Sequence, residues 1–311
     1  EVEFAKLGLV VADEQHRFGV EQRRALKEKG EKVDFLLMSA TPIPRTLAAT
    51  LYGDMDISTI MTMPPGRKPI QTRLVEENSL RTIMPQLLDQ LEQGGQIYIV
   101  CSAIEENENF DGRNVLDIFE SLSEVFSGKA KLGLMHGRMS SEEKERAMFD
   151  FEANTTQILV STTVIEVGVN VVNACCMVIY DAHRFGLSQL HQLRGRVGRG
   201  SAQAYCIFLH TLDGKHIRER LDILCKSNDG FEIANRDMQL RGPGDLFGVR
   251  QSGLLDFALA DIYTDADTLQ QANEAVGELL AKDPKLEREG HSALKLKFDR
   301  LLLHQNGQIS L

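Results

Sequence analysis

The stretch ACCMVIYDAHRFGLSQLHQLRGRVGRG, residues 174–200, joins a short apolar run to a helical pattern. Residues 175–180 read as a buried strand, because a run this short and this apolar is bounded by turn residues. Residues 188–197 read as a helix that Ser188 is expected to cap. Leu190, Leu193 and Val197 fall on one stripe of it. Gln192, Arg196 and Arg199 fall at i, i+4 and i+7 on the opposite face. A strand apolar at every position is buried on both faces, and a strand that feeds a helix is half of a parallel crossover unit. The stretch therefore predicts an α/β fold with a parallel sheet.

The same grammar extends in both directions. Strand-like runs recur at 7–12, 33–38, 72–75, 97–102, 131–135, 157–161 and 205–209. Helical patterns at 21–29, 44–52, 79–93, 114–127 and 141–152 sit between them, so helices are expected on both faces of the sheet. Ser140 and Glu143 form a Ser-x-x-Glu capping box that starts one of these helices. MPPGRKP, residues 63–69, has linker composition. It separates a first segment of two strands and two helices from a fuller α/β unit. Two strands are too few to bury both faces of a parallel sheet, so the first segment reads as the last part of a larger domain. After residue 211 the strands stop. Helical patterns follow at 214–226 and 230–240, then the glycine-rich RGPGDLFGVRQSG, residues 241–253, and a helical tail.

Composition narrows the class. A chain of 311 residues has room for two domains. No apolar run approaches the roughly 18 residues of a membrane span. The N-terminus lacks the basic-then-apolar pattern of a secretory leader. The five cysteines, Cys101, Cys175, Cys176, Cys206 and Cys225, show no CxxC spacing, which favours a reducing cytoplasm over zinc or disulfides. The net charge of -10 argues against a protein that simply coats nucleic acid. Residues 181–250 nevertheless hold eleven Lys/Arg against eight Asp/Glu, a local excess compatible with nucleic-acid contact.

Several strand ends carry chemistry. Asp13 and Glu14 follow LGLVVA, where ligands bind in open α/β sheets. A carboxylate there can hold magnesium, often through water, and its neighbour can polarise an attacking water. SATPIPRT, residues 39–46, follows the next strand with the small residues Ser39, Ala40 and Thr41. Arg196 and Arg199 on one face suit phosphate, since each guanidinium donates two parallel hydrogen bonds. Thr162 and Thr163 in VSTTVIEVGVNV, residues 160–171, and Gly137 and Arg138 in MHGRM, residues 135–139, sit in further strand-end loops.

In this order the motifs resemble those of superfamily 2 helicases. DEQH is similar to motif II, SAT to motif III, STTVIEVGVNV to motif V and QLRGRVGR to motif VI. DEQHRFGVEQR, HGRM and GFEIANRDMQLRGPGDLFGVRQSG narrow the resemblance to the bacterial branch that acts on branched DNA. The last stretch resembles the TRG motif, which transcription-repair coupling translocases share. The resemblance implies RecA-like domains: the end of a first one over residues 1–65, a second over 66–211, and the TRG hairpin, loop and helical tail over 212–311. It implies ATP and Mg2+ as cofactors, with Asp13 holding the metal through water and Glu14 serving the hydrolytic water. Gln192, Arg196 and Arg199 would face the ATP phosphates. Gln15, His16, Ser39, Thr41, Arg241 and Gln251 would couple nucleotide state to movement. Gly137, Arg138, Thr162 and Thr163 would meet DNA. The implied partner is forked or branched duplex DNA, with single-stranded-DNA-binding protein a candidate partner and no membrane. The oligomeric state is not legible. Motif V departs from the common GVDVPNA at Asn170 and Val172. No GxxxxGK[ST] phosphate loop occurs in the chain, so the isolated chain is expected not to hydrolyse ATP. The rival readings are a transcription-repair coupling translocase and a non-enzymatic nucleic-acid-binding module.

Overall fold

The computed structural model describes residues 4–14, 25, 29–30, 33–40, 56–64, 66–76, 80–102, 114–166, 171–211, 214–241 and 266–306. The helices expected at 21–29 and 44–52 fall almost wholly outside them, as does the loop at 242–253. Two compact units divide the chain; one holds every described strand, and the other holds the helices at 266–282 and 292–306.

Strands β1 (Leu9–Ala12) and β2 (Asp34–Leu37) pair in parallel, Leu9 opposite Asp34 and Ala12 opposite Leu37. Leu9 and Val11 are 56% and 53% exposed, so one face of this ribbon is largely open, as its small size requires.

The larger sheet has six parallel strands in the order β3-β8-β7-β4-β6-β5. They are β3 (Gln71–Glu76), β4 (Gln96–Val100), β5 (Leu132–Met135), β6 (Ile158–Ser161), β7 (Ala174–Ile179) and β8 (Tyr205–His210). The central strands β4, β6 and β7 are buried at every position, which is why their sequences are apolar almost throughout. Their side chains alternate between two cores. Ile97, Ile99, Ile158, Val160, Cys176 and Val178 face α1 (Leu80–Glu92) and α2 (Val115–Val125). Tyr98, Val100, Leu159, Met177 and Ile179 face the other way, against Phe151 of α3 (Ser141–Glu152) and Leu190 and Leu193 of α4 (Leu187–Arg194).

Helices α5 (Lys215–Lys226) and α6 (Gly230–Arg241) follow β8. Leu221, Leu224 and Ile233 belong to the same core as α4, so the hairpin is built into the sheet's second face. Asp229 starts α6 by accepting the Phe231 N–H at 2.8 Å. The capping box forms at α3 as expected: Ser140 Oγ accepts the Glu143 N–H at 3.2 Å, and Glu143 Oε2 accepts the Ser140 N–H at 2.7 Å. In the other unit, α7 (Ala266–Lys282) and α8 (Ser292–Asn306) are joined through Asp283. Its carboxylate accepts the N–H groups of Glu287 and Arg288, both at 3.0 Å, and lies 2.7 Å from His291 Nδ1.

One expectation needs correction. Ser188 does not cap α4; Gly186 is the N-cap, because buried Leu187 already belongs to the helix. The helix also ends at Arg194 rather than 197, with Gly195 as its C-cap. Arg196 and Arg199 therefore stand on a turn and not on a helical face.

Candidate functional site

Asp13 and Glu14 leave the carboxyl end of β1, and Ser39 follows β2 beside them. The Met38 N–H donates to the Ala12 carbonyl at 2.8 Å, which holds the two strand ends together. Glu14 has a φ of 51°, a left-handed conformation that non-glycine residues adopt at a cost and that clusters at functional sites. Its N–H donates to Asp13 Oδ1 at 2.8 Å. The Asp13 carboxylate is exposed at this edge. Its oxygen donors suit a hard cation that keeps most of its water. Among the described residues no cluster of three or more His, Cys, Asp or Glu could hold a metal by itself. Gln15, His16, Thr41 and Gln251 lie outside the described residues, as does Asn170; Arg241 closes α6, its side chain undescribed.

A second group of residues gathers on the turn after α4. The Gly198 N–H donates to the Ala174 carbonyl at 3.1 Å, so the turn is pinned to the amino end of β7. Gly198 has a φ of 72°, and a Cβ there would sit 2.9 Å from Ala204 Cβ. At Gly200 a Cβ would meet the Val172 carbonyl oxygen at 2.8 Å. Both glycines thus let the arginine-bearing turn press against the end of the motif V segment and the start of β8. Arg196 is half-buried and Arg199 exposed. Gln192 is half-buried on α4 itself.

A third group lies at the carboxyl ends of the adjacent strands β5 and β6. Gly137 and Arg138 form an exposed turn after β5. Thr162 follows β6; its N–H donates to the Met135 carbonyl at 3.2 Å and its side chain is buried. Thr163 is half-buried and opens a 3-10 turn, Thr163–Glu166. Of the two threonines, Thr163 is the more accessible to a ligand.

Sequence reasoning missed Arg194, which is 1% exposed. Its Nη1 donates to the carbonyls of Leu224 at 2.6 Å and Ser227 at 2.9 Å, and to Thr72 Oγ1 at 3.2 Å. The two carbonyls close α5, where helix oxygens lack intrahelical partners and a cation is favoured. The signal was present: Arg194 lies four residues after Leu190, on the apolar stripe where a charge must be anchored.

His191 completes this node. Its Nδ1 lies 2.9 Å from Arg194 Nη2, and an arginine can only donate, so Nδ1 accepts and the proton sits on Nε2. Burial, and next the Arg194 guanidinium, push the imidazole down to about 4 from the ordinary 6.5. A depressed folded value makes the contribution complete above about pH 6.5 and progressively lost as pH falls toward 4. Urea midpoints should therefore fall across that window, and less so in His191→Asn, whose Oδ1 still accepts from Arg194. Equal acid sensitivity of the two proteins would count against this assignment.

Six parallel strands with motif-bearing strand ends, and an arginine turn braced by glycines, define part of a superfamily 2 helicase. The family model described as helicase conserved C-terminal domain matches residues 79–201. A second, described as ATP-dependent DNA helicase RecG, domain 3, C-terminal, matches residues 227–302. The chain belongs to the RecG family. It is 53% identical to the ATP-dependent DNA helicase RecG of Bacillus subtilis over 91% of this chain and 42% of that protein. It is 51% identical to that of Streptococcus pneumoniae over 88% of this chain and 41% of that protein. A solved structure of RecG bound to a three-way DNA junction aligns with a TM-score of 0.67 and 46% identity, covering 87% of this chain and 34% of that one. The chain thus spans about two-fifths of the curated relatives it matches.

Proposed function

We propose that this chain is the C-terminal part of an ATP-dependent DNA helicase and translocase that remodels stalled replication forks and Holliday junctions in recombination and repair. The observation that carries the reading is the turn at Gly195–Gly200, which carries Arg196 and Arg199 and is pinned to the amino end of β7. Residues 1–65 act as the end of a first RecA-like domain, 66–211 as the second, and 212–311 as the TRG hairpin, loop and tail. In this mechanism ATP lies between the two RecA-like domains, and Mg2+ would supply charge neutralisation at its phosphates. Asp13 would hold the metal through water. Glu14 orients and deprotonates the attacking water. Gln192, Arg196 and Arg199 stabilise the charge that develops on the transferring phosphoryl group. Gln15, His16, Ser39 and Thr41 report nucleotide state, and Arg241 and Gln251 pass it to duplex movement. Gly137, Arg138, Thr162 and Thr163 hold the DNA backbone. The reading places the protein in the bacterial cytoplasm, acting on forked DNA, with single-stranded-DNA-binding protein a candidate partner. No described helix is long and apolar enough to cross a membrane.

The test is ATP hydrolysis by the product of the native gene, with and without forked DNA. Forked DNA is expected to stimulate it, and Glu14→Gln to lower it by more than about a hundredfold, since the general base is lost. The 311-residue chain alone is expected to be inactive. An inactive gene product would sink the motor and leave a DNA-binding module. Magnesium-dependent turnover by the 311-residue chain that Glu14→Gln abolishes would sink the claim that it lacks an essential half of the site.

A further inference from the structure

The linker before β3 does more than join two segments. Gly66 has a φ of 82°, and the Arg67 N–H donates to the Pro64 carbonyl at 3.4 Å, so the chain makes a tight turn there. From Arg67 onward it is fastened to the arginine-bearing turn and to the segment that follows it at three points. Arg67 Nη2 donates to the Gly195 carbonyl at 3.3 Å, across 128 residues of sequence. Gln203 Nε2 donates to the Pro69 carbonyl at 2.8 Å. Ile70 is buried and packs beneath Gly198, where an added Cβ would lie 3.4 Å from Ile70 Cγ1. Gly195 is the residue at which α4 stops and the turn begins. Its carbonyl is one of the helix-end oxygens that no intrahelical N–H can satisfy.

Arg67 Nε is buried and has no hydrogen-bond partner in the protein. The guanidinium also shares the field of Arg199, and burial first and Arg199 second lower its hold on its proton. Placing one cation beside another costs free energy unless an anion offsets it. A buried N–H left without an acceptor adds to that cost.

We infer that Arg67 is a positioning residue for Arg196 and Arg199, holding the turn that carries them through the Gly195 carbonyl. The inference rests on the motor reading and deepens it. A linker residue that grips the arginine turn ties the placement of Arg196 and Arg199 to the linker between the two RecA-like segments. Displacement of a catalytic group by about 1 Å costs up to about a hundredfold in rate, so a brace of this kind acts on turnover more than on binding.

The experiment measures forked-DNA-stimulated ATP hydrolysis by the native gene product carrying Arg67→Met or Arg67→Lys, with melting temperatures alongside. Methionine keeps much of the stem and removes every donor; lysine keeps a charged donor for the Gly195 carbonyl. Arg67→Met is expected to lower kcat by about tenfold, with KM for ATP changed less than about threefold and the melting temperature nearly unchanged. Arg67→Lys is expected to recover most of the lost kcat. Wild-type kcat in Arg67→Met, or a fall in melting temperature with kcat per folded molecule unchanged, would overturn the assignment. So would a lysine variant no better than methionine. A wild-type protein with no hydrolysis overturns the motor reading itself, which an active wild type with an unaffected Arg67→Met does not.

Discussion

Arg196→Ala in the native gene product is expected to lower DNA-stimulated ATP hydrolysis by about a thousandfold, the low end of what arginines facing a transferring phosphoryl group supply. That corresponds to about 4 kcal/mol of transition-state stabilisation. The argument starts from the turn. Arg196 follows the C-cap Gly195, and its neighbour Val197 is fully buried. The backbone around it is therefore fixed before any ligand arrives, and fixed charges are worth most where no reorganisation is needed. Arg196→Lys should recover little, because an ammonium cannot reproduce the planar two-point contact of a guanidinium with phosphate. The measurement is steady-state hydrolysis against ATP concentration at saturating forked DNA. A loss confined to KM would show that Arg196 only binds the nucleotide. A loss below about tenfold in both parameters would remove it from the reacting centre.

Arg194→Met is expected to destabilise the α/β unit by roughly 3–5 kcal/mol, because it leaves buried acceptors without their cation. The Leu224 and Ser227 carbonyls, Thr72 and the His191 imidazole all lose their donor at once. Methionine fills much of the volume of the arginine stem, so the loss reports the polar network more than a cavity. Arg194→Lys should fare little better, since one ammonium cannot span a strand, the end of α5 and an imidazole. Urea unfolding of the 311-residue chain measures this directly. A loss under about 1 kcal/mol would mean that water replaces the guanidinium and that the node is peripheral. The functional weight of the node lies in its partners: it fastens the helix that leads into the arginine turn to the last turn of α5, the first helix of the hairpin.

Much of the architecture was legible in the chain because it depends on local repetition. The runs QIYIV, ILVS and ACCMVI are apolar at nearly every position, and only a strand covered on both faces tolerates that. Ser140 and Glu143 announced the start of α3 because both ends of the capping bond lie within four residues. The placement of Asp13, Glu14 and Ser39 at neighbouring strand ends was equally readable, because a parallel pair brings its carboxyl ends together. The end of α4 was less so. The apolar spacing of Leu190, Leu193 and Val197 continues past the point where the helix stops, and periodicity alone does not register a glycine C-cap.

The sequence by itself determined the parallel α/β class, the order of the described strands and helices, the family, and the residue types at the arginine turn. These follow from side-chain spacing and from motifs whose partners are near in the chain. Only the tertiary structure decided what holds that turn. Arg67 meets Gly195, Arg194 meets Leu224 and Ser227, and Gly198 lies against Ile70 and Ala204. Most of these partners are distant in sequence, and a hydrogen bond or a van der Waals contact between them leaves no periodic trace. It exists because the parallel sheet folds α4 back across β7 and sets the linker and the hairpin against its end.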